Sequence, residues 1–219
     1  MNSTELFEIV YNNSNFDKTN PKWWPNYGTF EVVIGAILTQ NTKWDNVELA
    51  LKNLKNYDLL NLEKLYEIDI ETLANLIKPS GFYNIKAKRI KILIKAMQDD
   101  FNSFERFKEC ADREWLLSQK GIGFESCDAI LCYACSKEEM VVDNYTLRIL
   151  NYLNYEFQSY DEAKEWLSYL DIDMLLQKYE FDSINTIFCA YHGAIVEFSK
   201  VHFKGKLLSK EAKKLLELS

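Results

Sequence analysis

Trp115-Leu-Leu-Ser-Gln-Lys-Gly121-Ile122-Gly123-Phe-Glu-Ser-Cys-Asp-Ala-Ile-Leu131 is the stretch on which the fold turns. A helix capped near Asp112 runs into Lys120-Gly121-Ile122-Gly123, and a second helix starts at once. Two glycines around one aliphatic residue permit a tight turn whose backbone N–H groups point outward at a helix N-terminus. Such a turn suits a DNA phosphate oxygen and needs no side-chain charge. Ile122 is placed to tuck back between the two helices. Taken alone, the turn is also what an ordinary Gly-terminated helical hairpin would carry.

Outward from the hairpin, nearly every segment reads as helix. Phe30 to Leu38 is apolar almost all round, as a central buried helix would be. Asp45 to Leu54 and Ile70 to Ile77 carry apolar residues at helical spacing, and Lys78-Pro79-Ser80-Gly81 breaks the second run. Asn84 is placed to cap the next helix. In that helix Ala87, Ile90, Ile94 and Met97 face inward, while Lys86, Lys88, Arg89, Lys91 and Lys95 mostly face solvent, and Lys86, Lys88 and Arg89 could flank a phosphate track. Helices continue over Asp161 to Leu170, Met174 to Tyr179 and Ile184 to Phe198, followed by a Lys-rich end from Lys204. The expectation is an all-α chain.

With 219 residues, the chain is long enough for one large domain or two small ones. Its 47% apolar content excludes disorder, and seven glycines with three prolines are too few for a sandwich or barrel with many tight turns. No apolar run is long enough to cross a bilayer. Met1-Asn-Ser-Thr-Glu-Leu has neither a basic nor an apolar leader region, so a cytoplasmic protein is expected. A net charge of −7 gives no general sign of nucleic-acid binding, so any DNA contact must come from a local feature. Five cysteines without an export signal argue against a disulfide framework. Cys132-Tyr-Ala-Cys135 has a metal-like spacing but lies in a run that reads as buried helix, with no second pair to complete four ligands. No metal site is expected.

Some twenty residues beyond the hairpin comes Met140-Val141-Val142-Asp143-Asn-Tyr-Thr-Leu-Arg148. A carboxylate directly after a buried apolar triplet and before a helix suits a protected active-site floor. It equally suits a helix N-cap.

With both elements in view, the sequence resembles the helix-hairpin-helix DNA glycosylases, the superfamily that contains endonuclease III. The hairpin of Leu117-Ser-Gln-Lys-Gly121-Ile122-Gly123 followed by Val141-Val142-Asp143 matches that superfamily's signature in order and spacing. Leu38-Thr-Gln40-Asn-Thr42 looks like its duplex-inserting segment, and Gly81-Phe-Tyr-Asn84-Ile-Lys86-Ala87 looks like its GxYNxKA segment. The resemblance implies two helical subdomains with the helix-hairpin-helix motif at about 112–135 and an active-site cleft between the subdomains. One would span 30–135, the other 1–29 with 136–219. It further implies Asp143 as the catalytic carboxylate, Gln40 filling the hole left by a flipped base, and Lys120, Gly121, Ile122 and Gly123 on the DNA backbone. The partner would be double-stranded DNA with a flipped damaged base, bound by a monomer.

Two departures narrow the subclass. Members that also cleave the DNA backbone carry a nucleophilic lysine just after the hairpin; aligned through the glycines, its position falls among Phe124, Glu125 and Ser126, with Glu125 in its place. A Schiff base needs an amine. A monofunctional, water-using enzyme is therefore expected. The iron–sulfur cluster of endonuclease III needs four cysteines near the C-terminus, and no cysteine follows Cys189. No cofactor is expected, although a monovalent cation at the hairpin carbonyls suits this motif.

Pro21-Lys-Trp23-Trp24-Pro25-Asn26 and Trp44 look like the pocket of the small bacterial 3-methyladenine DNA glycosylases of this superfamily. His192-Gly-Ala-Ile-Val-Glu197-Phe-Ser-Lys200 matches the same group, with Lys200 at the position of a pocket lysine. Some members carry a lysine where this chain has Ala194. The resemblance implies a base pocket of Trp23, Trp24, Pro25, Trp44 and Lys200. An N3-alkylated adenine is cationic, which weakens its glycosidic bond and makes it a cation–π partner for Trp. The alternatives are a glycosylase for a mismatched adenine or thymine, a bifunctional oxidised-pyrimidine enzyme, and a non-catalytic DNA-binding module.

Overall fold

The structure, a computed structural model, describes residues 1–205 and 207–217. In chain order the helices are α1 (Ser3–Asn12), α2 (Phe30–Leu38), α3 (Trp44–Asn56), α4 (Leu62–Glu67), α5 (Ile70–Leu76), α6 (Tyr83–Phe101) and α7 (Phe104–Cys110). They continue with α8 (Arg113–Ser118), α9 (Phe124–Ala129), α10 (Asn144–Tyr152), α11 (Tyr160–Ser168), α12 (Ile172–Tyr179), α13 (Ile184–His202) and α14 (Lys210–Glu217). A 3₁₀ turn fills Lys78–Ser80, and α9 runs on into a π-helical turn, Ile130–Ala134. The fold is all-α, apart from a two-residue antiparallel ribbon of β1 (Phe203–Lys204) and β2 (Leu207–Leu208). No helix among the described residues is long and apolar enough to cross a membrane.

Two compact units make up the chain: Met1–Trp24 with Glu138–Ser219, and Pro25–Lys137. In the first, α13 is the core element, buried on nearly every face along its first fifteen residues and packed against α1, α10 and α12. Phe7, Tyr11, Tyr179, Phe181 and Tyr191 interlock edge to face around it, with ring centroids about 5–6 Å apart. The second unit is built on α2 and α6. Val32, Val33, Ile34, Ile37 and Leu38 of α2 are fully buried, and α6 packs against α2, α4, α5 and α7.

Side-chain caps start most of the helices. Asp112 Oδ1 accepts from Trp115 N at 2.8 Å, and Asp69, Asn61, Ser103, Ser159, Asp171 and Ser183 do the same for their helices. The start of α6 is different from the sequence expectation. Asn84 lies inside the helix, and Phe82 occupies the cap position at φ 46°, with no side-chain cap. The left-handed Gly81-Phe82 pair turns the chain there, so the local backbone starts α6 rather than an amide.

Lys86 also departs from its expected outward orientation. Only 2% exposed, its Nζ donates to Leu38 O at 2.7 Å, Ser80 O at 2.7 Å and Thr42 Oγ1 at 2.5 Å. The ammonium therefore ties the C-terminal end of α2 and the loop after it to the 3₁₀ turn. Burial, with the Arg89 charge nearby, pushes its pKa down to about 8. Lys91, which caps the carbonyls of Leu65, Tyr66 and Ile68 at the end of α4, is likewise drawn inward. Of the expected phosphate track, Lys88 alone keeps an exposed side chain without such an internal tether, because Arg89 bonds to Gln40.

Candidate active site

Asp143 follows Met140, Val141 and Val142, all buried, and is the N-cap of α10. Its two oxygens have different tasks. Oδ1 accepts from Thr146 N at 2.7 Å and from Thr146 Oγ1 at 2.8 Å, which fixes the carboxylate plane. Oδ2 faces Nε2 of His192 at 3.6 Å. Burial alone would raise this carboxyl's pKa. The nearby His192, with the two Thr146 donors, outweighs burial and holds it below the ordinary carboxylate value. The group is a preorganised anion with one oxygen fixed and one available for chemistry.

Beside it stands Trp23. The tight turn over Asn20–Trp24 puts Trp23 at φ 52°, with its N–H on Asn20 O at 3.0 Å. The indole lies directly on α13: a Cβ added at Gly193 would sit 2.5 Å from Trp23 Cγ and 2.8 Å from Phe16 Cε2. His192 meets the indole edge-on, centroids 5.4 Å apart at 87°. Trp23 Nε1 donates to Glu197 Oε1 at 3.3 Å, and Lys200 Nζ donates to the same oxygen at 2.8 Å while lying 6.0 Å from the indole centroid. Trp24 is buried behind, edge-on to Trp23 at 6.1 Å. The first unit thus brings Asp143, Trp23, Trp24 and Lys200 into one neighbourhood. His192 and Glu197 carry its contacts.

The hairpin is in the second unit. Helices α8 and α9 are joined through Gln119–Gly123, with Ile122 N on Gln119 O at 3.1 Å and the Ile122 side chain buried. Arg113 Nε bonds the fully buried Asp128 at 2.9 Å, and its guanidinium lies over Phe124, so α8 and α9 are pinned across the turn. Gly121 adopts φ +96°, and a Cβ there would be 2.5 Å from Arg89 Cγ. Lys120 is exposed. Gln40 reaches this hairpin: its Nε2 donates to Gly121 O at 3.1 Å and to Ser126 Oγ at 2.9 Å, while Arg89 Nη1 donates to its Oε1 at 2.5 Å. The Gly121 carbonyl, an acceptor a hairpin cation would need, already has a donor.

Pro25, exposed, and Trp44, half-buried at the first turn of α3, belong to the second unit, apart from the Trp23 cluster in the division of the chain. Glu125 is exposed near the start of α9. Cys132, in the π turn, and Cys135, just after it, are buried, and burial pushes the Cys135 thiol up to about 12. Among the described residues no three His, Cys, Asp or Glu side chains are grouped so as to hold a metal ion. The roles of His192 and Glu197 were not assigned from sequence. The spacing signal exists, since 193, 197 and 200 share a helical face, but only the fold shows that this face meets Trp23 and that His192 beside it meets Asp143.

The model of the HhH-GPD superfamily of base excision DNA repair proteins matches residues 34–168, and the chain belongs to that superfamily: it is a DNA glycosylase. Its relatives include a Methanocaldococcus jannaschii protein provisionally assigned as a DNA repair glycosylase, 42% identical over 194 residues that cover 85% of this chain and 83% of that one. Among solved structures, H. pylori 3-methyladenine DNA glycosylase bound to 1,N6-ethenoadenine is 42% identical, with a TM-score of 0.85 over 93% of this chain and all of that one. Endonuclease III in a non-covalent DNA complex shares the fold at 19% identity, with a TM-score of 0.68 over 97% of this chain and 95% of that one.

Proposed function

We propose that this glycosylase is monofunctional and hydrolyses the N-glycosidic bond of alkylated purines, chiefly 3-methyladenine, leaving an abasic site. The observation that carries the reading is the position of His192, 3.6 Å from Asp143 and edge-on to Trp23, which makes the carboxylate and the indole one site. The likeness to the H. pylori 3-methyladenine enzyme supports it over most of both chains.

In this reading the hairpin N–H groups of Gly121 and Gly123, with Ile122 as their buried anchor and Lys120 beside them, hold a phosphate of double-stranded DNA. The damaged nucleotide flips, at least cost where stacking is already weakened, and Gln40 leaves its bonds to the hairpin to fill the gap. The cationic base stacks against Trp23, with Trp24, Pro25, Trp44 and Lys200 completing the pocket.

The C1′–N bond then breaks with its electron pair leaving on the base, which becomes neutral and needs no strong proton donor. The sugar is left as an oxocarbenium-like cation. Asp143 stabilises that charge and takes the proton of the water that adds to C1′. Glu125 supplies no amine for a Schiff base, so the abasic product stays intact. A monomer suffices. No cofactor enters the reading.

Base release from methylated duplex DNA, comparing the native protein with Asp143→Asn, tests this. Free 3-methyladenine from the native protein alone, with uncleaved abasic strands and no borohydride-trapped complex, is the expected result. Release of no methylated base would direct attention to mismatched adenine or thymine. A borohydride-trapped complex would remove the monofunctional assignment.

A further inference from the structure

Glu197 lies between the two groups that set the charge of the Trp23 wall. Its Oε1 accepts from the indole N–H at 3.3 Å and from the Lys200 ammonium at 2.8 Å, and that ammonium is 6.0 Å from the indole centroid. Glu197 and Lys200 are three residues apart on α13, on the face where Gly193 lets the indole come down onto the helix. The indole therefore has little freedom to move away from either group.

A partly exposed i,i+3 ion pair by itself contributes little to stability. Here the pair has a consequence for binding. An unbalanced ammonium 6.0 Å from the ring would compete for its electron-rich face and repel a second cation stacked there. Paired with Glu197 it leaves that rim close to neutral. The carboxylate also accepts from Nε1, which polarises the indole toward greater electron density.

We propose that Glu197 is the charge-selecting residue of this site, making the Trp23 wall favour a cationic purine over a neutral purine of the same shape. This rests on the base-pocket reading of Trp23 and adds the residue that chooses the charge of the base. Two substitutions pull in opposite directions. Glu197→Gln keeps an acceptor for the indole N–H but leaves Lys200 unbalanced. Lys200→Met leaves the carboxylate unbalanced.

The test is quenching of tryptophan fluorescence by 3,9-dimethyladeninium, a fixed cation, and by neutral 9-methyladenine. The ratio of the two affinities, measured on one sample, does not depend on the folded fraction. The native protein should favour the cation. Glu197→Gln should lower the ratio about three- to tenfold, and Lys200→Met should raise it by a similar factor. An equal ratio in all three proteins overturns the proposal, as does an equal loss of both ligands in Glu197→Gln. Base release from methylated DNA is measured alongside. A native protein that releases no alkylated base removes the pocket reading and this inference together, whereas release with an invariant ratio removes the inference alone.

Discussion

Nε2 of His192 lies 3.6 Å from Oδ2 of Asp143, the oxygen that Thr146 leaves unoccupied. The same imidazole stands edge-on to Trp23, so one side chain of α13 orients both the candidate catalytic anion and the wall of the base site. Replacing it with Leu removes that partner while preserving bulk. His192→Leu should slow single-turnover base release about ten- to hundredfold, with DNA affinity changed less than about twofold. Because His192 helps hold the Asp143 pKa down against burial, the acid limb of the rate profile should move to higher pH. His192→Gln, which keeps a donor, should recover most of the rate. An unmoved acid limb in His192→Leu would refute the positioning role.

Asp143→Asn separates capping from charge. Asparagine can still accept from Thr146 N, so α10 should remain capped and DNA binding should persist. The loss of one preorganised charge should reduce the rate about a hundred- to thousandfold. Stability gives a second check. The folded-state pKa of Asp143 is depressed, so its contribution is complete above the ordinary carboxylate value of about 4 and is lost as pH falls through the folded value. Urea unfolding from pH 7 to 3 should show the native protein's advantage over Asp143→Asn shrinking below about pH 4.

Lys86→Met tests the buried ammonium. Its three acceptors, Leu38 O, Ser80 O and Thr42 Oγ1, would lose a common donor, and the loop that carries Gln40 would lose its mooring. A stability loss of about 2–3 kcal/mol is expected in denaturant melts. Lys88→Met, on the exposed side of the same helix, should leave stability within about 0.5 kcal/mol.

Gly193→Ala should act on the pocket. The added methyl would sit 2.5 Å from Trp23 Cγ, so the indole must shift from its bonds with Glu197. Overpacking of this kind costs about 1–3 kcal/mol. Base release should fall more than DNA binding does, because the hairpin is on the other unit. Parallel losses in both would point to general misfolding.

Gly121→Ala addresses the hairpin from the opposite side. At φ +96° an alanine is strained, and its methyl would strike Arg89, the donor to Gln40. DNA affinity should drop about tenfold or more, a loss of about 1.4 kcal/mol, while quenching of Trp23 by a cationic purine should be nearly unchanged.

Much of this molecule follows from local pattern. The two-glycine hairpin, the apolar run of α2 and the carboxylate after Met140-Val-Val are short-range signals, because turn conformation and helical periodicity depend on neighbours a few residues apart. The sequence alone therefore determined a helical chain, a two-glycine hairpin between helices and Asp143 at the head of a helix. Several elements gave weaker signals. Helices α4 and α7 are six and seven residues long, too short for a clear period, and the ribbon after α13 has only two residues in each strand.

What only the tertiary structure decided are contacts between residues far apart in the chain. Lys86 lies in a row of basic residues and reads as solvated, yet it shares a helical face with Ile90, Leu93 and Met97. The carbonyls that make its burial tolerable come from α2 and the 3₁₀ turn. His192 and Glu197 are polar residues on a buried helix, and the matching stretch from His192 to Lys200 gives neither of them a role of its own. Their roles arise because Trp23, some 170 residues earlier, is turned onto Gly193, and because Asp143 presents Oδ2 to His192 on α13. A side chain's secondary structure is set largely by its neighbours in sequence. Its charge state and its partners are set by whatever the fold brings within a few ångströms, where desolvation and Coulomb interactions are strong.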